Sequence, residues 1–417
     1  MLNRKIAPVL FKPAQLVFPE PESIQLSTGL KVHLFQNRNV DAIKVEFIFR
    51  NASSYREPLN GINLLTSKLL MSGTSSKSSK EISDGFARLG SFIEVNPSFD
   101  YTTVDIHCVK KTLFPTLTLF SEILRDSNFP DDEIGLQKSI LINNYKIQQQ
   151  KNNIVASRLF RKSLFPEHPY GQSVIPQDLE KIDLKNIIEF YKNNWSSFEI
   201  IISGNISIDE LKSFEKDFTY EPHFANYLET FTYSKKVLNN HRPNSVQTSL
   251  KIGLPTINKS HTDYTSLLFT NYVLGGYFGS RLMKNIREEK GLTYGIYSSI
   301  VNLQHASYFT ITSEVSSKKK ELAIDEIVNE IKMLSSSQIL DEELITAKNH
   351  WIGSFQNDLS SPYSLIEKFK SYYLYNLEPN YILDFYNSIN KIKPHDIIDA
   401  SKNYLNTNQM SLISVGG

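Results

Sequence analysis

Two stretches of the chain about 205 residues apart follow the same succession of patterns, and this internal repeat limits the possible folds more than any other feature. Val45-Glu46-Phe47-Ile48-Phe49-Arg50, an apolar strand-like run, leads through a polar turn into a helical segment from Gly61 to Met71 that ends at Ser72-Gly73. Ser249-Leu250-Lys251-Ile252-Gly253-Leu254 leads in the same way into Tyr264 to Leu274, which ends at Gly275-Gly276. Each copy continues with a helix, a glycine and two strands. The first has Glu81 to Leu89, Gly90, Ser91 to Asn96 and Tyr101 to Val109; the second has Arg281 to Lys290, Gly291, Leu292 to Val301 and Ser307 to Val315. Gly90 and Gly291 fall where a left-handed C-terminal cap is required, and Thr102 to Ile106 and Tyr308 to Thr312 alternate as half-buried strands do.

The ends of the copies match too. Lys181 to Tyr191 reads as a helix before the strand Glu199 to Ser203, and Lys391 to Asp399 as a helix before Met410 to Val415. A period this long means a duplicated domain, since solenoid repeats are far shorter. The pattern predicts an α+β fold of two duplicated domains, each a mainly antiparallel sheet with helices packed on one face. The expected boundaries are 1–220, a linker over 221–244 where Pro222, His223, Asn239, Asn240, Arg242 and Pro243 break periodicity, and 245–417.

Composition removes several function classes. Lys plus Arg is 45 against 44 for Asp plus Glu, a formal net charge of +1, so no global field draws the chain to nucleic acid or anionic lipid. Met1 to Phe11 lacks the apolar stretch of a signal peptide, and no apolar run reaches membrane-spanning length. A single cysteine, Cys108, suits a reducing compartment, and a cytoplasmic location is expected. Any metal would then need His and carboxylate ligands, yet no two of the nine histidines lie three or four residues apart.

Ser72-Gly73-Thr74, His168-Pro169-Tyr170-Gly171 and Arg287-Glu288-Glu289-Lys290-Gly291-Leu292-Thr293-Tyr294, set in this duplicated frame, resemble the pitrilysin/insulinase family of zinc peptidases. Within it the chain is most similar to the short subunits of bacterial two-subunit peptidases and mitochondrial processing peptidase. Active members of that family carry G-x-x-H-x-x-E-H, in which two histidines one turn apart bind zinc, the glutamate is the general base, and a later helix supplies a third ligand. Counting back from Gly73-Thr74 to Gly61 puts Leu64 and Lys68 at the histidine positions and Ser67 at the base. The third-ligand position falls on Asn143 or Asn144, and a supporting carboxylate position on about Gln137. None of these can play its part, so no metal is expected in this chain. In the segment that matches the family's substrate-binding edge strand, Glu94 replaces an asparagine and Pro97 removes a donor, which argues against peptide docking on this half.

The second half keeps what the first has lost. The resemblance assigns Arg287 and Tyr294 to substrate binding, as hydrogen-bond donors to the carbonyl oxygen that gains charge in the transition state. The competing reading pairs Arg287 with Glu288 or Glu289 and makes Tyr294 an ordinary strand aromatic. Gly275 to Ser280 reads as a turn, too short for the extended glycine loop of the processing peptidase. Tyr372, Tyr373 and Tyr375, near Phe369 and Tyr381, read as core or as an apolar chamber wall. The resemblance thus implies a zinc-free subunit that clamps against a homologous zinc-bearing subunit, supplies Arg287 and Tyr294 in trans, and acts on unfolded peptides. Its alternative is an inert structural or peptide-binding assembly subunit. A homodimer is possible when the chain is isolated.

Overall fold

The computed structural model describes residues 16–215, 218, 230–359 and 361–417. The start of the chain, including Met1 to Phe11, and residues 221–229 of the expected linker, with Pro222 and His223, lie outside them. Eleven strands form two sheets. The first contains β1 (Glu22–Gln25), β2 (Lys31–Gln36), β3 (Ala42–Phe49), β4 (Phe92–Pro97), β5 (Thr102–Val109) and β6 (Glu199–Gly204) in the order β1-β2-β6-β3-β5-β4. The second contains β7 (Val237–His241), β8 (Gln247–Thr256), β9 (Thr293–Asn302), β10 (Ser307–Ser316) and β11 (Ser411–Gly416) in the order β7-β11-β8-β10-β9. Apart from β1 the two orders coincide strand for strand. Each sheet is antiparallel except for one pair, β2 with β6 and β7 with β11. The duplication inferred from sequence is therefore a duplication of topology.

Local chemistry repeats with it. Gly90 and Gly291 have φ of 61° and 57°, the left-handed conformation that a side chain would strain. Behind each, an N–H returns five or six positions: Ser91 to the Phe86 carbonyl at 3.0 Å, and Leu292 to that of Ile286 at 2.9 Å. The helix before Gly291 differs from its counterpart, because Met283–Glu289 is wound as a wide π-turn and Lys290 N–H reaches the Asn285 carbonyl at 3.0 Å.

Alternation along the central strands explains how the halves join. Ile43, Val45, Phe47 and Phe49 of β3 face the first half's own helices, whereas Ile48, with Phe35 and Ile201 of neighbouring strands, joins the core of the second half. That opposite face is covered by the Pro362–Tyr373 helix, which belongs to the second half. In return, the Asn152–Leu164 helix of the first half lies on β8 and β11, with Val155, Phe160 and Leu164 packed against Tyr308, Ile413 and Val415. The two helices occupy equivalent places in the repeat. Each follows a long helix that opens on three acidic residues: Asp131–Gln149 after Pro130, and Asp341–Asp358 after Leu340. The halves thus exchange equivalent helices, and each sheet is covered on both faces.

One boundary needs correction. The linker expected over 221–244 contains β7, whose residues 237–241 pair in parallel with Leu412 to Gly416 of β11. Asn239 and Asn240 are tolerated because β7 is an edge strand paired on one side, and Asn239 Oδ1 accepts a hydrogen bond from Ser414 Oγ at 2.8 Å. The aromatic group of the Pro362–Tyr373 helix is core. Phe369 and Tyr372 are buried, and the rings of Phe369 and Tyr373 close over His33 at 4.8 and 4.5 Å.

Candidate functional site

The helix that would carry a zinc motif runs from Ile62 to Leu69 and begins at Gly61, whose φ of 92° and contact with Val174 leave no room for a side chain. Glu57 anchors this helix start: its carboxylate accepts the N–H groups of Gly61 at 2.9 Å and Asn63 at 3.0 Å, and burial pushes its pKa up to about 7. Leu64 is half-buried and faces a cleft of about 350 Å³; Ser67 is buried with no hydrogen-bond partner for its hydroxyl; Lys68 points to solvent. Asn144 of the Asp131–Gln149 helix lines the same cleft, so Leu64 and Asn144 do meet across one space. Asn143 is exposed and Gln137 half-buried, and neither lines the cleft. A leucine methyl and an amide offer a metal nothing to offset its charge. Among the described residues, no group of three or more His, Cys, Asp or Glu side chains could hold a metal ion.

Two residues of this cleft had no part in the sequence reading. Arg158 and Arg161 of the Asn152–Leu164 helix line its wall. The signal was present in the chain: residues 134–166 contain Lys138, Lys146, Lys151, Arg158, Arg161 and Lys162 but no Asp or Glu.

The tetrapeptide His168-Pro169-Tyr170-Gly171 is a packing device. His168 Nδ1 accepts the Tyr170 N–H at 3.2 Å, and any side chain on Gly171 would collide with the Phe165 carbonyl. Tyr170 is fully buried; its hydroxyl donates to Asp100 and accepts the N–H of His305, which lies in the turn between β9 and β10. Asp100 accepts Gln304 N–H at 3.0 Å from the same turn.

Arg287 and Tyr294 lie on the other half. Neighbouring polar groups are tied down: Arg281 makes a two-pronged ion pair with Glu343, at 2.8 and 2.9 Å, and Asn285 donates to Glu330 at 2.7 Å. Arg287 is different. Among the described residues it forms no ion pair, with Glu288 and Glu289 or any other carboxylate, and its guanidinium lies 4.7 Å from the centre of the Phe278 ring. Tyr294 is the second residue of the edge strand β9, at a bulge in its pairing with β10, and it is 90% exposed. Phe278 and Tyr297 are exposed as well, so three exposed aromatic side chains and the half-buried Arg287 lie on adjoining elements. Gly275 cannot carry a Cβ because Ser298 of β9 lies against it, which makes Gly275 to Ser280 a packed turn behind this surface.

This geometry has relatives. The description "Insulinase (Peptidase family M16)" matches residues 49–177, and "Peptidase M16 inactive domain" matches residues 181–350. The chain belongs to the insulinase family of peptidases. Its sequence lacks the G-x-x-H-x-x-E-H pattern, with Leu64, Ser67 and Lys68 in its place. An uncharacterized zinc protease YmxG of Bacillus subtilis is 24% identical over 347 residues, 82% of this chain and 85% of that one. A non-peptidase homolog YmxG of Helicobacter pylori is 23% identical over 89% of this chain and 88% of its own length. Among solved structures, a peptidase M16 inactive domain from Pseudomonas fluorescens superposes with a TM-score of 0.87 at 24% identity, over 95% and 98% of the two chains. A chain of complex III2 from Candida albicans shares the insulinase-type fold at a TM-score of 0.78 and 14% identity, over 95% of each chain.

Proposed function

We propose that this insulinase-family chain is the zinc-free subunit of a two-subunit metallopeptidase acting on unfolded peptides. The observation that supports the reading is the state of Arg287 and Tyr294: a half-buried guanidinium that has no carboxylate partner among the described residues, and a phenol 90% exposed, while Arg281 and Asn285 are paired. A homologous subunit bearing the zinc motif would supply the metal, the attacking water and the general base. Arg287 and Tyr294 would then donate hydrogen bonds to the scissile carbonyl oxygen as it acquires negative charge, which is the contribution that accelerates the chemical step. No described helix is long and apolar enough to cross a membrane. Cys108 is buried, with its thiol pushed up to about 11 by burial, so it is not a reactive thiolate, and the cytoplasm is the proposed compartment.

The test is reconstitution with a homologous subunit that has the zinc motif, zinc and a quenched peptide. Arg287→Ala should lower turnover about a hundredfold and Tyr294→Phe about tenfold, with assembly by size exclusion unchanged. A second reading, an inert assembly subunit, draws on the loss of every zinc-motif side chain and on the fold shared with the complex III2 chain. It expects a stable complex whose turnover neither substitution changes, and that result would sink the catalytic role.

A further inference from the structure

The cleft that has lost the zinc motif has acquired the opposite electrostatics. Arg158 and Arg161 are three residues apart on one helix, so they project from the same face. Each is held from behind. Arg158 Nη2 donates to Gln148 Oε1 at 2.6 Å and its guanidinium lies 4.7 Å from the Tyr145 ring centre. Arg161 Nη2 donates to Ser173 Oγ at 3.3 Å and its guanidinium lies 5.3 Å from the Phe99 ring centre. Neither makes an ion pair among the described residues, and Arg158 Nη1 and Arg161 Nε are buried without any hydrogen-bond partner. Guanidinium groups fixed in this way are ordinarily matched by carboxylates, because a buried unpaired donor on a charged group is costly.

No carboxylate in the wall can match them. Glu57 also lines the cleft, but both its oxygens accept backbone N–H groups of Gly61 and Asn63. Lys251, whose ammonium donates to Thr312 Oγ1 at 2.7 Å, and Tyr308 face Arg161 from the second half's sheet, and Lys251 adds a like charge. Burial first, with the repulsion of Arg158 added, holds the Arg161 guanidinium below its ordinary pKa. Beside Asn60, Asn144 and Gln172, the cleft has an apolar lining from Leu64, Pro97, Leu141 and Val174. A volume of about 350 Å³ that holds two planar cations and a group of apolar side chains fits one apolar residue ending in a carboxylate. A bare inorganic anion would leave the apolar lining wet.

We propose that this cleft binds the free C-terminal carboxylate of a peptide whose last residue is apolar, with Arg158 and Arg161 as its anion clamp. The site lies in the first half, where Glu94 and Pro97 disfavour a peptide added as a strand, but it takes a chain end by its charge and needs no strand pairing, partner subunit or peptide cleavage. The experiment uses the purified full chain and a fluorescein-labelled alanine-leucine hexapeptide, as the free acid and as the C-terminal amide, read by fluorescence anisotropy. The acid should bind at least about tenfold more tightly than the amide, a difference that shrinks with added salt. Arg158→Gln and Arg161→Gln should each weaken the acid about tenfold while leaving the amide and the melting temperature unchanged. Leu64→Trp, which fills the cleft without touching a charge, should weaken both peptides. Equal binding of acid and amide by the unaltered chain would overturn the proposal, as would no binding of either. So would inorganic phosphate displacing the acid peptide at the peptide's own concentration, which would make the cleft a general anion site.

Discussion

His33 illustrates how one side chain is controlled by which face of a strand it occupies. It lies on the face of β2 that the second half covers, so the rings of Phe369 and Tyr373 close over it, while Nδ1 shares a hydrogen bond with Ser23 Oγ at 2.7 Å and Nε2 has no partner. Burial lowers its pKa to about 4; Glu199 opposes the shift, and Lys31 and Arg50 add to it. The folded chain keeps this histidine neutral where the unfolded chain would protonate it. Its contribution to stability is therefore full above the ordinary value of 6.5 and is lost as pH falls through 4. The predicted loss is about 3 kcal/mol across that window, as measured by urea unfolding at a series of pH values. His33→Phe should flatten the slope; an unchanged slope would show that other groups govern acid sensitivity. Residue-level legibility was uneven. Leu64, Ser67 and Lys68 could be read as losses because a motif has fixed spacing. Arg158 and Arg161 could not, because what sets them apart is the absence of a carboxylate opposite, and only the fold decides what lies opposite.

At the scale of elements, β3 shows where the sequence pattern misleads. Its run from Ala42 to Phe49 reads as an apolar strand, but Lys44 and Glu46 fall in phase with Ile48 on the covered face. Both are buried, in a network with the exchanged helix: Lys370 pairs with Glu46 and, at 2.9 Å, with Glu367, while Lys44 lies 2.9 Å from Glu46 and 3.6 Å from Asp105. Burial alone would pull the Lys370 pKa down, yet Glu46 and Glu367 outweigh it and push it up. Glu46→Gln leaves two buried ammonium groups short of their shared counterion and should cost about 3–5 kcal/mol in urea unfolding. Glu46→Leu combined with Lys370→Met, which removes charge from both sides, should recover most of that loss. A single substitution that costs less than about 1 kcal/mol would mean that water reaches the network. Periodicity located the repeated strands and helices because each half folds around its own core. It missed the exchange of the Asn152–Leu164 and Pro362–Tyr373 helices, since a second apolar stripe does not reveal which sheet it will cover.

For the whole molecule the question is what keeps the halves in one arrangement, since the function proposed for Arg287 and Tyr294 requires a fixed frame. The exchanged helices supply apolar area, but area is non-directional and tolerates sliding. Direction comes from the hydrogen bonds between Asp100, Tyr170 and the β9–β10 turn. Tyr170 donates to Asp100 and accepts from His305, and Asp100 accepts from Gln304; Tyr170 and Asp100 are buried, Gln304 and His305 half-buried. The tetrapeptide containing Tyr170 was a weak signature by itself; its structural role depends on residues some 70 positions before it and 135 after, which no local pattern connects. Tyr170→Phe removes one hydroxyl and leaves the Asp100 carboxylate and the His305 N–H each short of a partner. The expected cost is about 1–3 kcal/mol in global stability. If the set also orients the halves, limited proteolysis should cut the variant faster in the β9–β10 turn while the first half's own sheet stays protected. Uniform acceleration of cleavage throughout the chain would instead mean that Tyr170 stabilises the fold without orienting its halves.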